Sequence, residues 1–164
     1  MTIRLLLAGL LLCATVGARA AEPAAAAAFS GATLDGQRYE LAARRDRVVM
    51  VVLWRSDCPV CLDKLPELRA NAQGWMKAPF DLVLINLDAG PADAEAYERV
   101  RRTVAPGEQG IYSFWHGQMQ PPVAWRTGDK LPQTLIIDRE GRLAARHLGR
   151  IPPEAWNQVA DLLP

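Results

Sequence analysis

The chain has 164 residues, enough for one domain with a core of its own and little more. Half of it is hydrophobic, and 19 basic against 18 acidic side chains leave a formal charge of +1. That balance argues against nucleic acid or an anionic membrane surface as a partner, since both demand a basic excess.

The first twenty residues do not read as part of a core. Arg4 supplies a positive start, Leu5 to Val16 is an apolar run of twelve, and Ala18-Arg19-Ala20 places small residues where a signal peptidase reads. The expectation is a cleavable signal peptide over 1–20, since twelve residues fall well short of the roughly 20 that span a bilayer as a helix. An uncleaved membrane anchor is the alternative. A lipoprotein reading of Cys13 is disfavoured by the bulky Leu12 before it. Cleavage would remove Arg4, Arg19 and Cys13, moving the formal charge from +1 to −1 and leaving Cys58 and Cys61 as the only thiols.

Residues 21–28 are Ala-rich and read as a flexible lead-in to a single domain over 29–164. Phe29 to Leu41 reads as two short extended pieces about Asp35-Gly36, and Arg44 to Arg47 as a solvated charged connection. Val48 to Trp54 is apolar without alternation, which suits a central strand covered on both faces. It runs into Arg55-Ser56-Asp57-Cys58-Pro59-Val60-Cys61, after which Cys61, Leu62, Leu65, Leu68, Ala72 and Trp75 recur mostly at helical spacing. Pro66 inside that helix removes one backbone hydrogen bond and should bend it. Phe80 to Asp88 is a second buried strand, so the strand–helix–strand unit implies a parallel pair with a right-handed crossover.

Ala92 to about Val104 follows as a helix with Tyr97, Val100 and Val104 on one face. Residues 105–130 hold several glycines, prolines and aromatics without a sustained period, and their aromatics are assigned to the core. Thr134 to Ile137 is a third strand, Asp138 to Gly141 a turn, and Leu143 to Leu148 an antiparallel return. Pro152-Pro153 opens a last helix with Trp156, Val159 and Leu163 on one face.

The chemistry rests on where the cysteines fall. At a helix N-terminus the unpaired N–H groups and the positive dipole end favour a thiolate over a thiol. Cys58 is then the exposed nucleophile of lowered pKa, and Cys61, one turn further in, is shielded yet close enough to attack a mixed disulfide at Cys58. A purely structural bridge two residues wide would restrict the unfolded chain little. A zinc site needs four ligands, and His116 and His147 lie far off without paired spacing, so no metal site is assigned.

Together these residues carry a family resemblance. Leu34-Asp35-Gly36, Leu53-Trp54 followed by Cys58 and Cys61, and Pro132-Gln133-Thr134-Leu135-Ile136-Ile137-Asp138 with Gly141 resemble the exported TlpA/ResA-like thiol–disulfide reductases over about Phe29 to Pro164. The resemblance implies an α/β thioredoxin-like fold, a central mixed sheet flanked by helices with an N-terminal β-hairpin extension. Its element order would be β-α-β-α-β-β-α. It further implies a cis Leu131–Pro132 bond facing the cysteines, with Leu131 and Pro132 positioning an extended substrate strand. No prosthetic group is implied, the Cys58–Cys61 pair being the redox carrier.

This chain departs from the family pattern in several places. Asp57 stands where an aromatic is usual before the first cysteine, and Lys64 where a glutamate is common. Val52 occupies the position of the buried acid of thioredoxins, and the dipeptide Pro59-Val60 has its proline first, as in some exported oxidants and isomerases. Asp57 would raise the Cys58 pKa, while Arg55 and the helix terminus would lower it. Lys64 reads as a solvated position.

The reading is a periplasmic thiol–disulfide oxidoreductase that reduces disulfides of exported proteins, with a membrane thiol electron donor implied by the resemblance. Apocytochrome c haem-site cysteines, a copper-site cysteine pair and generally misoxidised proteins all fit as substrates. Two rivals remain: a maturation or binding module that has kept the fold, and a metallochaperone using both thiolates for a soft ion such as Cu(I).

Overall fold

The computed structural model describes residues 29–119, 121, 122, 125 and 128–164. The expected signal peptide (1–20) and lead-in (21–28) lie outside the described residues. In chain order the elements are β1 (Ser30–Ala32), β2 (Arg38–Glu40), a 3-10 turn (Leu41–Arg44), β3 (Val48–Trp54), α1 (Pro59–Gly74) and β4 (Phe80–Asn86). There follow α2 (Ala92–Val104), β5 (Ile111–Trp115), β6 (Gln133–Ile137), β7 (Leu143–Leu148) and α3 (Glu154–Leu162). Among the described residues no helix is long and apolar enough to cross a membrane.

Every residue of β3 and of β4 is buried, as the apolar run of β3 and the mostly apolar one of β4 require, with Asp81 and Asn86 the polar exceptions. The main sheet has the order β5-β4-β3-β6-β7. β3 pairs parallel with β4, and β4 with β5, while β6 runs antiparallel to both β3 and β7. β1 and β2 form a separate two-stranded hairpin. The expected hairpin extension and mixed sheet are therefore present, and the fold is thioredoxin-like.

β5 is the element that the sequence reading lacked. Its five residues are mostly half-buried, and Ser113 interrupts an otherwise aromatic and aliphatic run, so neither period stands out. It forms the sheet edge beyond β4 and adds one strand to the expected order. Both β3–α1–β4 and β4–α2–β5 step toward the same edge, and two right-handed crossovers in one direction leave their helices on one face. The core agrees. Met50, Trp54, Leu65, Leu84, Ala94 and Val159 belong to one cluster, which takes buried residues from all three helices. The opposite face packs Val51, Val83 and Ile137 against Phe29, Tyr39 and Trp125. Hairpin and irregular chain thus do on that face what helices do on the other. Phe114 and Trp125 are core, as expected of the 105–130 aromatics, while Tyr112, Trp115 and His116 are half-buried.

Three local expectations need correction. The Arg44–Arg47 segment is solvated only at Arg45 and Asp46. Arg47 pairs with the fully buried Asp81 at 2.8 Å and donates to the Phe80 carbonyl at 2.6 Å, while Arg44 lies 3.5 Å from the same carboxylate and over the Tyr39 ring. Burial, with the Asp81 charge adding to it, pushes the Tyr39 hydroxyl well above its ordinary pKa. In α2 the expected apolar face holds only at Tyr97, half-buried against Trp54: Val100 and Val104 are 63% and 66% exposed, whereas Ala94 and Glu98 are buried. Glu98 is drawn inward by ion pairing to the buried Arg69 of α1, which also holds Glu108 at 2.6 Å. A charge bound for a buried partner does not show in an apolar period. Lys64, finally, is not free in solvent, since its side chain is only 13% exposed and pairs with Glu67 at 2.7 Å. α1 continues through Pro66, which stands on its exposed side.

Candidate active site

Strand β3 ends at Trp54, and four residues later the chain enters α1. Cys58 is the N-cap of that helix, with extended backbone (φ −104°, ψ 100°), and Pro59 opens the first turn, where its missing N–H costs nothing. The cap is unusual only in its atom: the Cys61 N–H donates to Cys58 Sγ at 3.2 Å, where a serine or aspartate oxygen would ordinarily accept. Cys61 and Leu62 also donate to the Cys58 carbonyl, at 3.0 and 3.1 Å.

The two sulfurs are joined in a disulfide, with Cα atoms 5.2 Å apart. Cys58 is half-buried at the surface, whereas Cys61 is 1% exposed within the helix-side core. An attacking group from outside reaches Cys58 first. Once reduced, Cys58 as a thiolate would keep the Cys61 N–H and the helix terminus as stabilising partners.

The register of β3 against β6 places the proline loop. Leu53 pairs with Gln133, so Pro132 comes at the next position along, beside Trp54 and at the sheet end that carries the cysteines. The Leu131–Pro132 bond is cis. Pro132 is buried and Leu131 half-buried, the latter packed against both core clusters, and the Pro132 carbonyl accepts from Gly149 N–H at 2.9 Å. All six site residues read from the sequence thus gather at one end of the sheet.

Arg55 and Asp57 do something the sequence could not decide. They pair with each other at 2.7 Å, both well exposed, so each largely cancels the other's influence on Cys58. On the α1 side, Asp63 and the exposed Arg150 form a second such pair at 2.9 Å.

The sequence reading passed over Asn86 and Asp88, both buried at the end of β4. Asp88 accepts from Ser56 N–H (3.1 and 3.3 Å to its two oxygens) and from Asn86 Nδ2 (2.8 Å), and its own N–H donates to Asn86 Oδ1 (3.0 Å). Its backbone carbonyl takes Trp115 Nε1 at 2.8 Å and lies 3.0 Å from His116 Nε2. The available signal was two polar residues, Asn86 and Asp88, following the apolar run Leu82 to Ile85. Among the described residues no group of three or more His, Cys, Asp or Glu is arranged to hold a metal ion.

The redoxin family model matches residues 18–163. No curated protein matches the chain in sequence. Among solved structures, the chain is similar to a thiol:disulfide interchange protein of the thioredoxin family from Chlorobium tepidum TLS, at 19% identity and TM-score 0.72, covering 88% of this chain and 99% of that one. It is similar to a DsbF homologue from Corynebacterium diphtheriae at 18% identity and TM-score 0.64, covering 93% and 99%. The exposed lipoprotein thioredoxin Etrx1 of Streptococcus pneumoniae matches at 19% identity and TM-score 0.64, over 82% and 98%. At these identities the neighbours speak for the fold, and the family match carries the assignment. With a Cys-x-x-Cys disulfide at the N-terminus of α1, the chain belongs to the redoxin family and is a thiol–disulfide oxidoreductase of thioredoxin fold.

Proposed function

We propose that the protein works in the periplasm as a reductase of disulfides in exported proteins, with Cys58 as nucleophile and Cys61 as resolving thiol. The observation that carries this reading is the asymmetry of the pair: Cys58 caps a helix at the surface and Cys61 is shut in the core. In the reduced protein the Cys58 thiolate attacks one sulfur of a substrate disulfide. A mixed disulfide forms and the first substrate thiolate leaves, to be protonated by water. Cys61, deprotonated, then attacks Cys58 Sγ, releasing the second substrate thiolate and closing the Cys58–Cys61 disulfide. Two electrons have passed to the substrate. The same dithiol must be restored by an outside dithiol, for which a membrane thiol donor is the source consistent with an oxidising compartment.

Leu131 and Pro132 border this chemistry as a short edge on which an extended substrate strand would lie. Arg55 and Asp57 tune Cys58 only weakly, being paired with each other. The signal-like residues 1–20 support export, and one structural neighbour is by its name an exposed lipoprotein. No cofactor beyond the cysteine pair is needed. Haem-site or copper-site cysteine pairs and misoxidised proteins remain the candidate substrate classes. The deciding experiment is insulin turbidity with the reduced protein, together with thiol titration and equilibration against glutathione. Catalysed precipitation lost in Cys58→Ser is the expected result. Thiols that titrate without turnover would favour a binding or maturation module instead.

A further inference from the structure

Asp88 takes no part in the exchange steps above, yet it is 7% exposed and is the point where the elements around Cys58 are tied together. The Cys58 N–H donates to the Arg55 carbonyl at 3.3 Å, closing a turn with Ser56 and Asp57 inside it. That turn delivers the nucleophile to the helix cap. Of its two inner N–H groups, that of Ser56 points at both oxygens of Asp88. Asp88 is itself braced from β4 by Asn86 and from the end of β5 by Trp115 and His116. We propose that Asp88 is the positioning residue of this active site: its carboxylate holds the Arg55–Cys58 turn in register with α1, and its charge sets the thiolate equilibrium of Cys58. The inference rests on the reading of Cys58 as the attacking thiol.

The second half follows from charge. Arg55 stands between two carboxylates, Asp57 at 2.7 Å from Nη2 and Asp88 at 3.9 Å from Nε. One guanidinium cannot neutralise both, so the turn carries a residual negative charge beside Cys58. Among the described residues, the other charged or titratable groups toward this end include His116, held on the Asp88 carbonyl, the Asp63–Arg150 pair, which is neutral as a unit, and the exposed, oppositely charged Asp129 and Lys130 just before Leu131. A negative charge disfavours a neighbouring thiolate. Removing it, and freeing Arg55, both act in the same direction: the Cys58 thiol should ionise at lower pH. An Asn at 88 keeps an oxygen for the Ser56 N–H while removing the charge, whereas Ala removes both.

The test uses the full chain carrying Cys13→Ser and Cys61→Ser, so that Cys58 is the one thiol and its ultraviolet thiolate absorbance can be titrated. Asp88→Asn should move the midpoint down relative to this parent. In the chain with both active-site cysteines, Asp88→Ala should slow insulin reduction about tenfold or more, the scale of a misplaced reacting group, while Asp88→Asn recovers most of the rate. A role in stability alone would lower the melting temperature and leave the midpoint where it was. Should Asp88→Ala fail to fold, Asp88→Asn carries the test through its midpoint. A midpoint unchanged or raised in Asp88→Asn, or full exchange in folded Asp88→Ala, overturns the proposal. Insulin reduction that survives Cys58→Ser would instead overturn the reading of the nucleophile.

Discussion

Labelling of the reduced protein with iodoacetamide at neutral pH should strike Cys58 long before Cys61, and the structure sets the size of the gap. Cys58 is open to solvent at the mouth of α1, while Cys61 is 1% exposed. Reaching the Cys61 sulfur requires the first turn of the helix to unwind. That exposes the Cys61 side chain, at about 1–1.5 kcal/mol for a small apolar group. It also breaks the N–H bonds from Cys61 and Leu62 to the Cys58 carbonyl, worth about 0.5–1.5 kcal/mol each. The sum is about 2–4.5 kcal/mol, which corresponds to labelling roughly 30-fold to 2,000-fold slower at Cys61. Peptide mass spectrometry on samples quenched over time reads both sites in one reaction. Comparable rates, or Cys61 modified first, would refute the argument from burial and with it the order of attack and resolution. In the same framework Cys61→Ser should accumulate mixed disulfides with substrate.

Three further outcomes are expected. Equilibration with glutathione should give a reduction potential below about −200 mV, on the reducing side of the glutaredoxin range, and a value near −120 mV would reverse the assigned direction. Asp81→Ala should destabilise the fold by about 2–4 kcal/mol, less than a wholly buried pair would lose because Arg44 and Arg47 still reach water, and urea denaturation measures it. Asp138, in the turn between β6 and β7, is raised by burial but held below the usual carboxylate range by the stronger pull of backbone and side-chain hydrogen bonds from Arg142. A carboxyl lowered on folding contributes stability above its unfolded value and loses it as the pH falls through the folded one. Thermal melts from pH 6 to pH 2 should therefore show a steeper acid-side loss in the parent than in Asp138→Ala, and parallel curves would count against it.

The parts of the molecule legible in the sequence are those dominated by one strong local signal. β3 and β4 announced themselves as apolar runs, and α1 by its position after them. The cysteine pair needed only spacing, whereas the proline loop and the cis bond at Leu131–Pro132 came from family resemblance. What escaped depended on partners far along the chain. Arg44 and Arg47 look solvated until Asp81 is buried beside them, and Glu98 looks like a surface residue until Arg69 arrives from α1. β5 was hidden because an edge strand is covered unevenly, and its ladder partner lies about thirty residues back. Asp88 was missed for a related reason: its function is to receive a backbone N–H, and backbone donors leave no trace in the identity of a side chain.

The unequal covering of the two sheet faces bears on the order in which the chain becomes a protein. On the helix-bearing face α1 and α2 are laid down with the crossovers that carry them, and α3 joins them last. The other face waits. Phe29 and Tyr39 precede the whole main sheet in the chain, yet Phe29 meets Phe114 in an edge-on contact at 5.9 Å and Trp125 at 5.0 Å. Until those later residues emerge, the hairpin lacks its aromatic partners, and Val49, Val51 and Leu53 lack part of their cover. Such long-range closure is slow compared with local packing. The hairpin therefore acts as a clasp whose aromatic partners arrive only after β4. A chain begun downstream of it would keep its cysteine pair but bare an apolar sheet face to every neighbouring copy.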